Sequence, residues 1–340
     1  MGQSTTLAAL VVGSTIFALG IAELAARWII AAPAYRTSDP GFQRELGDRY
    51  LVPDPVLGVV PGPAWSGPTG RLGFQNGAEY GDLGREATDI VFLGDSIIQS
   101  RLLQSALNRF LTGTSARTWN AGIAGYNTLQ EAYYLEQRTG LDPDVLILGF
   151  CLNDFLPSMS VARARTHGTG DRMMQNLFEP IGVVSPFWFR TSALYRVVKL
   201  RTIAFGTGDL WAADTVQRNR WLVAEGLARL RLYARHHDTT LLVVVYPYLT
   251  AEDDYLRAAH ETVLAILRDL DIRFIDMKTV YRDRGDALER LRKTPDDIVH
   301  PNIEGHMIAA VAIARRLAPQ LGVTGAEVER LASEQLAAAP

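Results

Sequence analysis

The sequence predicts a three-layer α/β/α fold, in which helices cover both faces of a five-stranded parallel sheet. Short apolar segments of strand length alternate along the chain with longer amphipathic segments of helix length. Residues 144–150 include the continuous apolar run of a strand that is buried on both faces. With 340 residues, 48% of them hydrophobic and 21% charged, the chain is long enough to bury a core of that size.

The composition excludes several classes of protein. A net charge of −3 gives no basic surface for nucleic acid, so we expect no nucleic-acid partner. The single cysteine, Cys151, excludes an intramolecular disulfide framework. No dinucleotide-binding or Walker A motif follows a predicted strand, and no two histidines have the spacing of a zinc site. We therefore expect no cofactor and no metal.

Residues 1–34 are predicted to form a membrane anchor. The segment 7–22 carries no charge, and apolar residues resume beyond Glu23 and Arg27, which makes a helix long enough to cross a bilayer. Glu23 and Arg27 have the spacing that lets them pair on one face of that helix. Trp28 suits the layer of lipid headgroups. The sequence therefore predicts a single-pass membrane protein with one transmembrane helix.

Two features near the N-terminus leave other interpretations of the apolar segment open. Residues 31–34, Ala-Ala-Pro-Ala, resemble the cleavage site of a signal peptide, although residues 1–6 lack the basic segment that such peptides carry. Arg27 and Arg36 follow the apolar segment, and the positive-inside rule would then leave the rest of the chain in the cytoplasm.

The remaining chain divides into a linker, a domain and a tail. Residues 35–88 are rich in proline and glycine, so we expect a linker that lies over the next domain. The domain spans 89–321 with an insert at about 156–215, and 322–340 are predicted to form a tail helix. Such alternation favours a doubly wound, flavodoxin-like sheet. The predicted strands are 90–93, 117–120, 144–150, 240–246 and 273–275, and the main predicted helices are 97–111, 128–138, 216–236 and 302–321.

Polar residues follow three of the predicted strands. Ser96 ends a Gly-Asp-Ser turn, a glycine-rich loop covers 121–127, and Asn153 follows the third strand. The carboxyl ends of parallel strands meet at one edge of the sheet, and a helix that begins there offers free N–H groups to an oxyanion. Each segment alone also fits an ordinary turn or helix cap, so both interpretations stay open for it.

Asp297 and His300 lie just ahead of the last large helix of the domain. At this spacing the carboxylate can accept a hydrogen bond from one imidazole nitrogen, which leaves the other nitrogen free to act as a base. An isolated Asp-x-x-His pair also serves as a helix cap, so the pair gains meaning only together with Ser96.

In combination these segments resemble the four sequence blocks of the SGNH, or GDSL-type, hydrolases. The blocks are Gly-Asp-Ser at 94–96, Asn-Ala-Gly-Ile-Ala-Gly at 120–125, Asn-Asp at 153–154 and Asp-x-x-His-Pro-Asn at 297–302, and the resemblance covers about 89–321. The nucleophile elbow of the α/β-hydrolases is not matched, because it needs a glycine where this chain has Ile98.

The resemblance implies a role for each matched residue. Ser96 would be the nucleophile, His300 the general base and later acid, and Asp297 the group that orients His300. The implied oxyanion donors are the backbone N–H groups of Ser96 and Gly125 and the side chain of Asn153. Gly125 is preferred to Gly122 because the family's glycine closes a comparable loop.

The third block departs from the family pattern. It reads Gly-Phe-Cys-Leu-Asn-Asp, whereas many members have a glycine one or two residues before the asparagine. This difference changes the backbone freedom of the loop and can reshape the acyl pocket. Cys151 is interpreted as a small buried residue rather than a nucleophile. Asp95 and Asp154 are interpreted as structural residues that bond loop amides.

The insert has two interpretations. It combines basic and aromatic residues, and the plainer interpretation is a helical cover that packs its aromatic side chains on the sheet edge. The other is a wall of the cleft for an anionic glycan, or a surface that rests on lipid headgroups. Under this second interpretation of the insert, the candidate substrate-binding residues are Arg163, Arg165 and Trp188.

Three functions stay open. The first is a membrane-anchored hydrolase of O-acetyl or other short acyl esters, with glycans of the cell envelope as candidate substrates. The second is an O-acyltransferase, because the same residues serve whether water or a sugar hydroxyl takes the acyl group. The third is a non-catalytic glycan-binding module, which the retained reactive residues disfavour. The resemblance also implies an extracytoplasmic, periplasmic domain.

Overall fold

The computed structural model describes residues 2–29, 51–54, 57–61, 87–156, 186–204 and 211–337. The chain forms two compact units: an N-terminal unit of residues 1–60 and 157–207, and a sheet unit of residues 61–156 and 208–340. In chain order the helices and strands are α1 (Gly2–Ile29), β1 (Leu51–Asp54), β2 (Gly58–Pro61), β3 (Asp89–Gly94), α2 (Ser96–Gln99), α3 (Leu102–Asn108), β4 (Arg117–Gly122), α4 (Thr128–Tyr134), β5 (Val145–Cys151), α5 (Pro186–Thr191), α6 (Ala193–Ala204), α7 (Ala213–His236), β6 (Thr240–Tyr246), α8 (Asp254–Asp269), β7 (Phe274–Asp276), α9 (Met277–Asp283), α10 (Ile303–Leu317) and α11 (Gly325–Ala337).

The sheet unit is built on five parallel strands in the order β4-β3-β5-β6-β7. All seven residues of β5 are buried, as expected for a strand that helices cover on both faces. The predicted fold class is therefore confirmed. In this order the chain reverses direction across the sheet between β3 and β5, and the carboxyl ends of those two strands border the crevice where doubly wound sheets bind ligands.

The predicted helix 97–111 is wrong, because the structure divides it into α2 and α3. Arg101, between them, has a left-handed backbone with φ of 64°. The hydroxyl of Ser100 donates to the carbonyl oxygen of Ile97 at 2.7 Å, which closes the last turn of α2. A short helix whose apolar residues keep the same spacing as those of the next helix cannot be separated from it by periodicity.

Several boundaries differ from the predicted ones in smaller ways. A five-residue π-helix, Leu135–Thr139, continues α4 and ends at Gly140. The expected linker contains β1 and β2, which pair as a two-stranded sheet. The expected tail helix is α11, and Arg315 of α10 pairs with Glu329 of α11 at 2.7 Å.

The N-terminal unit contains the apolar helix α1. Its segment Leu10–Trp28 has a mean hydropathy of 1.6 and is long enough to cross a membrane, a test that signal sequences also pass. The expected pairing on this helix is present, because Arg27 Nε donates to Glu23 Oε1 at 3.0 Å.

Candidate active site

Ser96 is the first residue of α2, directly after the end of β3. The side chain of Asp95 caps this helix by accepting the N–H of Ile97 at 2.9 Å. In the described part of the chain no acceptor is bonded to the N–H of Ser96 itself. The strand-to-helix turn therefore presents both a hydroxyl and a free backbone donor at the carboxyl edge of the sheet.

A row of three glycines lets α2 lie directly on the strand ends. Gly94 of β3 is in register with Gly122 of β4 on one side and with Gly149 of β5 on the other. A Cβ atom on Gly94 or on Gly149 would lie 2.5 Å from Cγ1 of Ile98, and one on Gly122 would lie 2.5 Å from the backbone nitrogen of Gln99. Because real Cβ contacts are not this short, any side chain in the row would push α2 away from the sheet.

Ser96, His300 and Asp297 form a continuous chain of hydrogen bonds. Nε2 of His300 lies 2.8 Å from Oγ of Ser96. Nδ1 of His300 lies 2.9 Å from each carboxylate oxygen of Asp297. With Nδ1 as the donor, the neutral imidazole has its lone pair on Nε2, facing the serine hydroxyl.

Asp297 is itself held by the backbone of its own loop. Its Oδ1 accepts the N–H of His300 at 2.9 Å and that of Val299 at 3.1 Å. Partial burial alone would raise the pKa of Asp297, but the hydrogen bonds from the His300 and Val299 N–H groups and from the imidazole outweigh it and lower the pKa. The carboxylate is therefore kept ionised in the position that orients His300.

Neighbouring segments fix the loop that carries His300. The carbonyl oxygen of His300 accepts the N–H of Lys293 at 2.9 Å, and the carbonyl oxygen of Ile298 accepts the N–H of Leu249 at 2.7 Å. Asn302 caps α10 by accepting the N–H of Gly305 at 3.0 Å. These bonds tie the loop to the segment that follows β6 and to the start of α10, so the position of the imidazole is fixed by its neighbours.

The glycine-rich loop after β4 lies beside α2. Asn120 donates to the carbonyl oxygen of Ile98 at 2.7 Å and accepts the N–H of Gly122 at 3.0 Å, so it braces both segments. Gly125 has φ of 83°, the left-handed region that favours glycine. No acceptor in the described residues is bonded to the N–H of Gly125. The structure thus separates two glycines that sequence reasoning compared: Gly122 packs against α2, and Gly125 offers a donor.

Asn153 lies in a short 3₁₀ turn, Leu152–Phe155, directly after β5. Its Nδ2 is 3.5 Å from Oδ2 of Asp95, a long contact that leaves the amide able to donate elsewhere. Within the described residues its Oδ1 is buried without a partner.

The carboxyl groups of Asp95, Asp154 and Glu131 are buried close to one another. Asp95 accepts the N–H of Ile97 as the cap of α2, and Asp154 accepts the hydroxyl of Thr128 at 2.7 Å. Glu131 is fully buried, and neither of its carboxyl oxygens has a hydrogen-bond partner among the described residues. Burial raises the pKa of Glu131 well above its usual value, and the charges of Asp154 and Asp95 raise it further. Sequence reasoning missed Glu131, because its position on α4 carries no sign of burial.

The remaining candidate residues are Cys151, Arg163, Arg165 and Trp188. Cys151 is buried, and burial together with the nearby carboxylates raises the pKa of its thiol well above the usual value, which disfavours a thiolate nucleophile. Arg163 and Arg165 lie outside the described residues. Trp188 is exposed and belongs to the N-terminal unit. Among the described residues no group of His, Cys, Asp and Glu could hold a metal ion.

The position of Asn153 leads to a prediction. If its amide donates to the oxyanion, Asn153→Ala should lower kcat for p-nitrophenyl acetate by about 10²- to 10³-fold and change KM little, because the bond forms only in the transition state. Asn108→Ala is the matched control, since the side chain of Asn108 accepts the hydroxyl of Thr118 at 2.8 Å. Equal kcat values for the two variants would show that Asn153 does not donate to the oxyanion.

Comparison with protein-family models identifies one family. The model of the GDSL-like lipase/acylhydrolase family matches residues 92–308. No curated protein matches the chain.

Three similar solved structures are hydrolases or lipases by description. An alpha/beta hydrolase enzyme from the metagenome of Lake Arreo, Spain, is 14% identical over 69% of this chain and 95% of its own, with a TM-score of 0.43. A catalytic mutant of an acetylxylan esterase from Geobacillus stearothermophilus is 14% identical over 71% and 98%, with a TM-score of 0.43. A putative GDSL-like lipase from Parabacteroides merdae is 13% identical over 69% and 97%, with a TM-score of 0.42. Because these identities and TM-scores are low, only the match over residues 92–308 bears on the family.

Proposed function

Since this chain belongs to the GDSL-like lipase/acylhydrolase family, we propose that it is a serine esterase that uses Ser96 as its nucleophile. The observation that carries the proposal is the 2.8 Å hydrogen bond between Oγ of Ser96 and Nε2 of His300, whose other nitrogen faces Asp297 at 2.9 Å. A serine that is hydrogen-bonded to a base, which is in turn oriented by an acid, is the arrangement that acyl transfer requires.

The chemistry follows from the positions of these atoms. As Oγ of Ser96 attacks the ester carbonyl carbon, its proton moves to Nε2 of His300, and Asp297 stabilises the imidazolium that forms. The N–H groups of Ser96 and Gly125 and the amide of Asn153 are the proposed donors to the tetrahedral oxyanion. The intermediate expels the alcohol, which takes the proton from His300 and leaves an acyl group on Ser96.

The second half of the reaction repeats these steps with a new nucleophile. Water gives a proton to His300 while its oxygen attacks the acyl carbonyl, and collapse returns that proton to Oγ of Ser96. The products are a carboxylic acid and the free enzyme. A sugar hydroxyl in place of water would give a transferred ester, so the same residues support an O-acyltransferase.

An aromatic cluster supports a glycan ester as the substrate. The half-exposed Trp211 lies 5.1 Å from Tyr255 and 6.2 Å from Tyr248 between ring centroids. The hydroxyl of Tyr255 donates to the carbonyl oxygen of Leu152, next to Asn153. Tyr248 precedes Leu249, which is bonded to the loop of His300. Tyr248 and Tyr255 are buried, so Trp211 is the aromatic residue of this cluster that can contact the apolar face of a sugar ring. An O-acetyl or other short acyl group is the proposed group transferred to Ser96.

We also propose that α1 anchors the protein in a membrane with the sheet unit on the extracytoplasmic side. Its length and its exposed apolar side chains support the anchor. Two reporters, one active only in the periplasm and one active only in the cytoplasm, are fused in turn to the carboxyl terminus. Their activities show on which side of the membrane the sheet unit lies. Activity of the cytoplasmic reporter alone would reject the proposed orientation.

A product assay tests the proposed reaction and its acceptor. The full-length protein is incubated with p-nitrophenyl acetate, with and without an unacetylated xylo- or glucosamine oligosaccharide, and acetate, p-nitrophenol and acetylated sugar are measured. An esterase releases acetate and p-nitrophenol in equal amounts under both conditions. Acetylated sugar at the expense of acetate would identify an acyltransferase, and absence of p-nitrophenol release would reject both.

A further inference from the structure

An ionisable side chain of the apolar helix α1 caps a helix that lies far along the chain. The carboxylate of Glu23 accepts the hydroxyl of Ser192 at 2.7 Å and the N–H groups of Ala193 and Leu194 at 2.9 and 3.0 Å. Ala193 and Leu194 are the first residues of α6 and Ser192 directly precedes them, so Glu23 satisfies donors that the helix itself leaves free. Arg27 extends the contact, because its Nη2 lies 3.5 Å from the carbonyl oxygen of Thr191, the last residue of α5.

These hydrogen bonds hold the end of α5 and the start of α6 beside Glu23 and Arg27 of α1. The uncharged segment 7–22 spans about 24 Å as a helix, close to the thickness of the hydrocarbon layer, which is about 30 Å. In the segment Leu10–Trp28, Glu23 and Arg27 lie within the last two turns, so their side chains lie near the boundary between hydrocarbon and headgroups if α1 spans the bilayer. The amino terminus of α6 and the end of α5 then lie at that same boundary.

The short helix α5 carries exposed aromatic side chains at this depth. Phe187 is 63% exposed and Trp188 54% exposed, with their rings 5.1 Å apart in an edge-to-face arrangement. The hydroxyl of Thr191 donates to the carbonyl oxygen of Phe187, so both aromatic residues lie within one turn of the Arg27 contact. On α1 itself, Trp28 is 91% exposed beside Arg27.

We propose that α5 lies in the headgroup layer of the bilayer that α1 spans, with Phe187 and Trp188 inserted among the lipids. The inference rests on the proposed membrane anchor and deepens it. Tryptophan and phenylalanine favour this layer because their apolar rings leave water while the indole N–H can still find an acceptor. Arg27 adds a positive charge at the same depth, which suits anionic headgroups. The expected partner is therefore a phospholipid surface.

The proposal changes the function assigned to one candidate residue. In the sequence, Trp188 is a candidate substrate-binding residue only if the insert forms a wall of the cleft, and a surface that rests on lipid headgroups is the alternative. In the lipid-facing position it would instead hold the insert at the membrane, together with Glu23. The anchor would then be a small folded unit of α1, α5 and α6 rather than a single tethering helix.

Quenching by brominated lipid tests the depth of Trp188. The full-length protein is reconstituted into phosphatidylcholine and phosphatidylglycerol vesicles whose acyl chains are brominated close to the headgroups. Difference spectra between wild type and Trp188→Phe report the emission of Trp188, and Trp221→Phe is the matched control, since Trp221 is similarly exposed but lies on α7 of the sheet unit. We expect the Trp188 emission to be blue-shifted and mostly quenched, and the Trp221 emission to be unaffected by bromine.

A second pair of variants tests the cap. Glu23→Ala removes the carboxylate that accepts the N–H groups of Ala193 and Leu194, whereas Glu23→Gln keeps one carbonyl oxygen. Quenching of Trp188 should fall in Glu23→Ala and largely recover in Glu23→Gln, a pattern that a general loss of folding would not give.

The possible outcomes separate the inference from the proposals on which it rests. Protein that does not float with the vesicles would reject the anchor itself. Floating protein whose Trp188 emission is not quenched would overturn only the position of α5. Quenching that disappears at high protein-to-lipid ratio would indicate a second copy on this surface and would also overturn the proposal. A raised KM for soluble p-nitrophenyl acetate in Trp188→Phe, with quenching absent, would indicate that Trp188 binds substrate and not lipid.

Discussion

Replacement of Ser96 by alanine should lower the turnover of p-nitrophenyl acetate by about 10⁴- to 10⁶-fold, the range found when a serine nucleophile is removed from a working triad. Without Oγ no acyl-enzyme can form, and the oxyanion donors alone give only a small residual rate. The measurement is steady-state hydrolysis, together with mass-spectrometric detection of a fluorophosphonate adduct on residue 96 of the wild type. We expect the adduct to be absent from the variant.

Ser100→Ala is the control for this experiment. Ser100 is in the same short segment, but its hydroxyl donates to the carbonyl oxygen of Ile97 rather than to His300. It should retain wild-type labelling and nearly full activity. Full turnover in Ser96→Ala, or a probe that labels another residue in the wild type, would contradict the proposed nucleophile.

Asp297→Asn should lower kcat by about 10⁴-fold while leaving the fold intact. An asparagine can still accept the N–H of His300 through its oxygen, as Asp297 does at 2.9 Å. Its amide nitrogen, however, is a donor, so Nδ1 of His300 would become the acceptor and the proton would move to Nε2. The imidazole could then no longer accept a proton from Ser96.

The adjacent Asp296 provides the matched control for this substitution. Its side chain is exposed, so Asp296→Asn makes the same change of charge without entering the hydrogen-bond chain. We expect its kcat to equal that of wild type, and both variants to have the same far-UV circular dichroism. A loss of kcat that is equal in the two variants would mean that net charge, not the tautomer of His300, controls the rate.

Much of the fold was predictable because the sheet depends on local patterns. The strand-like runs of β3, β5 and β6 are long, apolar and separated by amphipathic segments, so their order along the chain already implies a doubly wound sheet. The break at Arg101 was not predictable, because one left-handed residue leaves no mark on periodicity. The cap that Glu23 gives to α6 was not predictable either, since it joins residues about 170 positions apart.

The candidate site was predictable as a set of residues but not as a set of contacts. Ser96 and His300 are more than 200 positions apart, and only the four blocks taken together placed them at one edge of the sheet. The distinct positions of Gly122 and Gly125 depend on the three-dimensional path of one loop, which sequence spacing does not determine. Glu131 likewise gains its unusual environment only when α4 covers the sheet.

The glycine row at Gly94, Gly122 and Gly149 has a consequence for how the enzyme can vary. Because the three residues are glycines, backbone atoms of three strands set the distance between α2 and the sheet. Any substitution in the row would add a side chain that displaces α2. A shift of one residue in the pairing of β3 would place Leu148 or Phe150 of β5, or Ala121 of β4 or Ile123 after it, opposite Gly94 in place of a glycine. The proposed nucleophile is thus positioned by strand register, and substrate preference is left to the loops that surround it.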